Sequence, residues 1–360
     1  MAKTKVAVLK TSPEAILDDY QKLMHLAEYE KYLPKNKDTA LKINISWHKF
    51  YPACSTTPWQ LEGVIKTLLS DGYKKELIHG CHNRTVVVSA KQGEKENKHK
   101  PVIDKYGLRN IHLYKGEEWI KYEPKGKMLV LNDIFPDGIM IPKRMIGENI
   151  IHLPTMKTHV FTTMTGAMKN AFGGLLHEKR HWTHSVIHET LVDLLTIQKE
   201  IHSGVFAVMD GTFAGDGPGP RCMVPHVKNH ILASADQVAI DAISAKMMGF
   251  NPMSLKFIRL AHEAGLGTGD PKEIEIIGED ISNVNFRFHM ERTTFASRGQ
   301  EMIYWGPLKP LENFLLRTVL APWSYIASIL YHDYYWYPFI GKKRVNEMLK
   351  TNWGKLFLNY

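Results

Sequence analysis

The chain of 360 residues has little cysteine. Cys54, Cys81 and Cys222 lie far apart, with no CxxC pair. A four-cysteine zinc or iron–sulfur site built from one chain is therefore excluded. An odd cysteine count, with no apolar leader in MAKTKVAVLK, points to a reducing compartment and a cytoplasmic location. Basic residues never form a run long enough for a nucleic-acid arm. The densest stretch, Lys91 to Lys100, is interleaved with glutamates and reads as a solvated loop, so no nucleic-acid partner is expected. No apolar run reaches the ~20 residues of a spanning helix.

What is present is an ordinary globular composition, 44% hydrophobic and 23% charged, with an excess of 46 Lys+Arg over 37 Asp+Glu. A net charge of +9 favours anionic partners: phosphate or carboxylate substrates, or a lipid surface. The length suggests two domains, or one large body with insertions.

VAVLK (6–10), ALKINI (40–45) and ELIHG (76–80) read as buried strands. Helices over about 12–32 and 58–69 separate them, which predicts a mostly parallel sheet with flanking helices. Residues 91–105 read as a loop. IHLY (111–114), EWIKYE (118–123), MLVLND (128–133) and GIMIP (138–142) read as short strands of a mid-chain β insertion spanning about 91–148. NIIHLP (149–154) resumes the buried pattern. A helix is predicted over about Thr183–Ile201. GVFAVMD (204–210) is a strand leading at once into a glycine-proline loop (211–220). Residues 230–249 give a strand then a helix, and EIEIIG (273–278) a late strand. The α/β body spans 1–307, and 308–360 form a helical, aromatic extension.

The densest chemistry lies in LPTMKTH (153–159) and TGAMKNAFGG (165–174). Lys157 and Lys169 are point charges suited to a phosphate or carboxylate, and burial would let either act as a base. Thr165 and Asn170 can orient a ligand, and Gly166 allows close backbone approach. In LKINIS, period two puts Lys42 and Asn44 on one strand face, near the sheet's carboxyl edge. Asp210 ends a strand where open α/β sheets place ligands, and Gly217 and Gly219 could shape an anion cradle. His159 or His184 beside a lysine suits proton shuttling. His177, His181, His184 and His188 would form one stripe on a continuous helix, a candidate divalent-metal set. Asp236 reads as a helix cap and Asp241 as a structural acid.

Taken together, the LKIN strand, LPTMKTH, TGAMKNAFGG, MDGTFAGDGPGP and ADQVAIDAISAKMMG resemble, in order and over about residues 5–280, the family called domain of unknown function 362. The resemblance implies a shared core of Lys42, Asn44, Lys157, His159, Thr165, Gly166, Lys169, Asn170, Asp210, Gly217, Gly219, Asp236 and Asp241, but no reaction. Many members carry a ferredoxin-like cysteine module that this chain lacks. Gly166, Lys169 and His184 are also similar to a glycine–lysine turn and histidine of the lactate racemase family. Those enzymes perform hydride chemistry on a lysine-tethered nickel-pincer nucleotide, which implies a redox nucleotide as one candidate cofactor.

VLAPWSYIASILY (319–331) is an apolar run of 13 residues, followed by clustered Tyr and Trp and by Lys342-Lys343-Arg344. That pattern fits core packing, a homo-oligomer interface, or docking on a membrane surface through residues 319–344. The function expected is an enzyme on an anionic or polyhydroxylated, lipid-linked small molecule. Proton or hydride movement beside an oxygen-bearing carbon would make it an isomerase, epimerase or oxidoreductase. Metal-assisted hydrolysis or transfer through the histidine stripe is one alternative, and a non-catalytic membrane-associated binding protein is another.

Overall fold

A computed structural model describes residues 3–290, 294–318 and 321–360. The strands are β1 (Thr4–Lys10), β2 (Thr39–Ile43), β3 (Ile78–His82), β4 (Arg109–His112), β5 (Trp119–Tyr122), β6 (Ile139–Pro142), β7 (Asn149–Leu153), β8 (Thr155–His159), β9 (Thr163–Thr165), β10 (Gly204–Asp216), β11 (Val224–Ser234) and β12 (Ile274–Gly278). Ten of them form one sheet in the order β12-β1-β11-β10-β7-β2-β3-β4, with β8 paired to β10 and β9 to β8. Pairing is parallel from β10 through β7, β2 and β3 to β4, and between β1 and β12. It is antiparallel where β11 meets β1 and β10, and between β8 and β9. The mostly parallel α/β architecture is as expected.

Buried strands of a parallel sheet send alternate residues into two cores. In β2, Ala40 enters the core packed by the helices Ile187–Ile201 and Gln237–Met248. Leu41 and Ile43 enter the opposite core, with the helices Ile16–Leu26 and Pro58–Ser70. Lys42 therefore shares the face of Ala40. Beyond Leu153 the chain steps at Pro154 and continues as β8 along the far half of β10, pairing Thr155 with Asp210 and Lys157 with Gly215.

Several local expectations are corrected. Residues 91–105 are not a loop but the helices Ala90–Glu96 and His99–Tyr106, broken by a left-handed Lys98. Gly93, Glu94, His99, Val102 and Ile103 are buried, and the exposed lysines between them mask that apolar face. MLVLND is not a strand. The Asp193 carboxylate accepts the amides of Leu129, Val130 and Leu131 at 2.7, 2.9 and 2.9 Å, turning the chain into the short helix Leu131–Ile134. The glycine-proline loop does not begin at residue 211, because β10 continues, bulged after Gly211, to Asp216. The helix expected from Thr183 is a 3-10 stretch, Glu178–Val186, leading into Ile187–Ile201. In the mid-chain segment, β4 joins the main sheet, and β5 and β6 form a separate two-stranded one.

The C-terminal segment runs through Glu312–Arg317, Pro322–Ile329, a wide π-type stretch Leu330–Gly341, Lys342–Leu349 and Asn352–Leu358. Trp336, Val345, Trp353 and Phe357 are buried in the second core. Trp47 donates to Asp333 at 2.6 Å, and Arg344 to the Met223 carbonyl at 2.7 Å. Most exposed large apolar side chains of the described residues nonetheless fall within 302–340, including Phe314, Ile326, Tyr334 and Phe339. Among the described residues, no single helix is long and apolar enough to cross a membrane.

Candidate functional site

A cavity of about 710 Å³ opens at the carboxyl ends of β2, β3 and β8. Ligands of open α/β sheets bind at such ends. Lys42, Asn44, Lys157, His159, Thr165, Gly166, Lys169, Asn170, His181, His184 and Gly219 all line it. Trp323, Ser328, Tyr331 and His332 of the C-terminal segment form another wall.

The glycine-bounded turn packs against two buried side chains. The Asp241 carboxylate accepts the amides of Ala167 at 2.6 Å and Met168 at 3.1 Å, fixing the helical turn Ala167–Asn170. A Cβ at Gly166 would fall 1.9 Å from Asp241 Oδ1. At the other end, a Cβ at Gly174 would lie 2.7 Å from Cε of Lys42. These two glycines are slots, one for a carboxylate and one for a lysine stem. Asn170 closes the turn by donating to the Lys42 carbonyl at 2.8 Å.

Lys42 Nζ donates to the Ile43 carbonyl at 2.7 Å. Lys157 Nζ donates to the Cys54 carbonyl at 2.6 Å and to Thr155 at 2.7 Å. The described residues give Lys169 no hydrogen-bond acceptor; its ammonium lies 5.3 Å from the Phe172 ring centre. Burial lowers Lys42 and Lys157 to about 8. Lys169 falls to about 7, first through burial and then through the charges of Lys157 and Arg180. Two further cations line the cavity that sequence reasoning missed, Arg180 and Arg221. Nη1 of Arg221 is buried with no hydrogen-bond partner among the described residues. No carboxylate lines the cavity among the described residues. Arg221 directly follows the GPGP loop, which was the one available signal.

Two of the cavity histidines, His159 and His184, are neutral and complementary. Burial and Lys169 hold His159 well below its ordinary value, and burial takes His184 to about 3. The Phe161 amide donates to Nδ1 of His159 at 3.1 Å, so the proton of the neutral ring sits on Nε2. His184 Nδ1 lies 2.8 Å from the His181 carbonyl, which can only accept, so Nε2 of His184 carries a free lone pair. One ring can donate a hydrogen bond into the cavity and the other can accept one.

Other predicted residues lie elsewhere. Asp210 does not line the cavity. Its buried carboxylate accepts from Tyr20, Thr57 and Trp59 at 2.7, 2.9 and 2.9 Å, and from the Thr212 amide and hydroxyl at 3.0 and 2.7 Å. It ties β10 to the helix Pro58–Ser70 and has no lone pair to spare for substrate. Gly217 is also outside; it adopts a φ of +91° and its carbonyl accepts from Thr158 at 2.6 Å. Asp236 caps the helix Gln237–Met248.

The four-histidine stripe does not converge. Its continuous helix is interrupted, and the rings diverge: His177 toward Phe135, His181 to Tyr325 at 3.0 Å, His184 into the cavity, His188 against Phe257. Residues 177–181, HEKRH, spell the HExxH pattern of zinc hydrolases. They lie on a 3-10 turn, where i and i+4 do not share a face.

The profile of the family described as "Domain of unknown function (DUF362)" matches residues 39–246, which span every lysine and histidine just assigned to the cavity except His332. A curated relative, thylakoid-associated protein sll1697 of Synechocystis sp., is 24% identical over 144 residues. The alignment covers 39% of this chain and 45% of that protein, so the chain matches less than half of its relative's length.

Proposed function

The chain belongs to the family of domain of unknown function 362, and on that premise and the cavity's chemistry we propose that it is an enzyme acting on an anionic, lipid-linked small molecule. The reaction class is proton or hydride movement beside an oxygen-bearing carbon, that of an isomerase, epimerase or oxidoreductase. The supporting observation is the lining: five cations and, among the described residues, no carboxylate, with the Arg221 Nη1 left without a partner. A buried cation needs a counter-charge, and here the substrate brings it. Lys42, Lys157 and Arg221 hold the anion, while Asn44, Thr165 and Asn170 orient it. Lys169, near neutrality, is the base that takes and returns the proton, while Nε2–H of His159 donates a hydrogen bond to the substrate and the bare Nε2 of His184 accepts one. Where the reaction is a hydride transfer, a redox nucleotide would be bound as cofactor.

The apolar wall from Trp323 to Tyr335 accommodates a hydrophobic tail, and the exposed aromatic side chains outside it face a membrane surface in this reading. The protein is then peripheral on the cytoplasmic face. The printed name of the relative, thylakoid-associated, is compatible with that placement.

The test is incubation of the full chain with an extract of anionic metabolites and lipids in D2O, followed by mass spectrometry. Proton movement gives an enzyme-dependent mass increase in a phosphate- or carboxylate-bearing compound, lost in Lys169→Ala. An oxidoreductase gives no exchange but a new product when nicotinamide or flavin nucleotide is added. Neither change with the wild type, or both unchanged in Lys169→Ala, overturns the reading.

A further inference from the structure

At and behind the cavity wall, two strands and a helix bring together three side chains to which the anion-site reading gives no role. His82 and His112 stand opposite one another in the parallel register of β3 and β4. Their ring centres are 4.8 Å apart. Glu94, from the helix Ala90–Glu96, reaches over both. One oxygen, Oε1, meets Nε2 of His82 in a very short contact, Nε2 of His112 at 2.6 Å and the Asn110 amide at 3.0 Å. The candidate ligand atoms lie within 4.8 Å of one another. His82 and Glu94 are buried, while the His112 side chain is 21% exposed and offers a way in.

As a hydrogen-bonded cluster this arrangement is over-subscribed. A carboxylate oxygen has two lone pairs in its plane, and three donors crowd onto it. Each imidazole must also keep its proton on Nε2 for the contacts to attract. No lysine or arginine pairs with Glu94 among the described residues, so the buried carboxylate lacks a fixed counter-charge. A metal cation resolves both problems. It takes the lone pair of each Nε2 and supplies the positive charge.

The geometry points to a divalent transition-metal site formed by His82, Glu94 and His112. Two imidazoles and a carboxylate suit borderline ions such as zinc, cobalt or ferrous iron rather than calcium or magnesium. Three protein ligands leave at least one position for water or another molecule. His82 also lines the cavity, whereas Glu94 and His112 do not, so the ion would stand behind the wall. This inference stands apart from the anion-site reading, and either can fail alone.

The experiment uses the full chain, stripped with a chelator and titrated with Co2+ while the visible d–d absorption is recorded, then displaced with Zn2+. Expected is one ion per chain, with the intense absorption of a low-coordinate site, not displaced by excess Mg2+. Glu94→Gln and His112→Gln should each weaken binding by more than the ~10–100-fold that losing an outer-shell partner costs. His177→Gln should bind as the wild type does. His112 is partly exposed and its variant should fold, which far-UV circular dichroism checks. A wild type that takes up no stoichiometric Co2+, or a folded His112→Gln that binds with unchanged affinity, overturns the site.

Discussion

Replacing Lys169 by methionine should stabilise the protein at neutral pH. The ammonium of Lys169 loses its proton near pH 7 when folded, against 10.5 ordinarily. The sign follows from linkage: between those values the unfolded chain binds more protons, so stability rises with pH. Below pH 7 the half-buried charge costs folding at most on the order of 4 kcal/mol, which solvent in the cavity reduces. About 2 kcal/mol of that is recovered between pH 7 and pH 9. Methionine keeps the length of the side chain and removes the charge. Lys169→Met should therefore unfold at higher urea than the wild type at pH 7, with the difference shrinking toward pH 9. Inorganic phosphate should raise the wild-type midpoint at pH 7 more than that of the variant, because the anion supplies the missing counter-charge. Comparing the two proteins cancels the titration of every group they share. A variant less stable than the wild type at pH 7, with the same pH slope, would show that Lys169 is already paired and would refute the reasoning.

Gly166→Ala drives a methyl group into the Asp241 carboxylate and breaks its bonds to Ala167 and Met168. A loss of about 3–5 kcal/mol is expected by urea denaturation above pH 8, where Asp241, raised by burial to about 7, is ionised and its two hydrogen bonds are charged; a loss below about 1 kcal/mol would mean that the carboxylate has somewhere else to go. On anionic vesicles, the combined variant Tyr334→Ser, Tyr335→Ser, Phe339→Ser should partition at least about tenfold less than the wild type, since these exposed rings supply the apolar area. Equal co-sedimentation would remove the membrane from the proposed function.

The sheet was legible because its strands are short apolar runs bounded by turn residues, and period two carried Lys42 and Asn44 to one edge. Helices 90–106 were not, since their buried face includes Gly93, Glu94 and His99, which carry no apolar signal. Asp210 misled for a related reason: a carboxylate at a strand end reads as a ligand group until Tyr20, Thr57 and Trp59, distant in sequence, are seen to surround it. Arg180 and Arg221 gave little pattern, because one enters the cavity from a 3-10 turn and the other from the loop after Pro220. The His82, Glu94 and His112 set is invisible to motif spacing, its members being placed by strand register and a helix crossing.

The lining of the cavity also acts as a filter by sign. A molecule that carries an ammonium group beside its acid, as an amino acid or a phosphoethanolamine does, would bring a positive charge into a space whose described walls offer it no carboxylate. Like charge in a low-dielectric enclosure repels strongly. On the proposed reading, zwitterions are disfavoured without any shape-selective contact, and compounds whose charge is negative throughout settle more readily among the lysines.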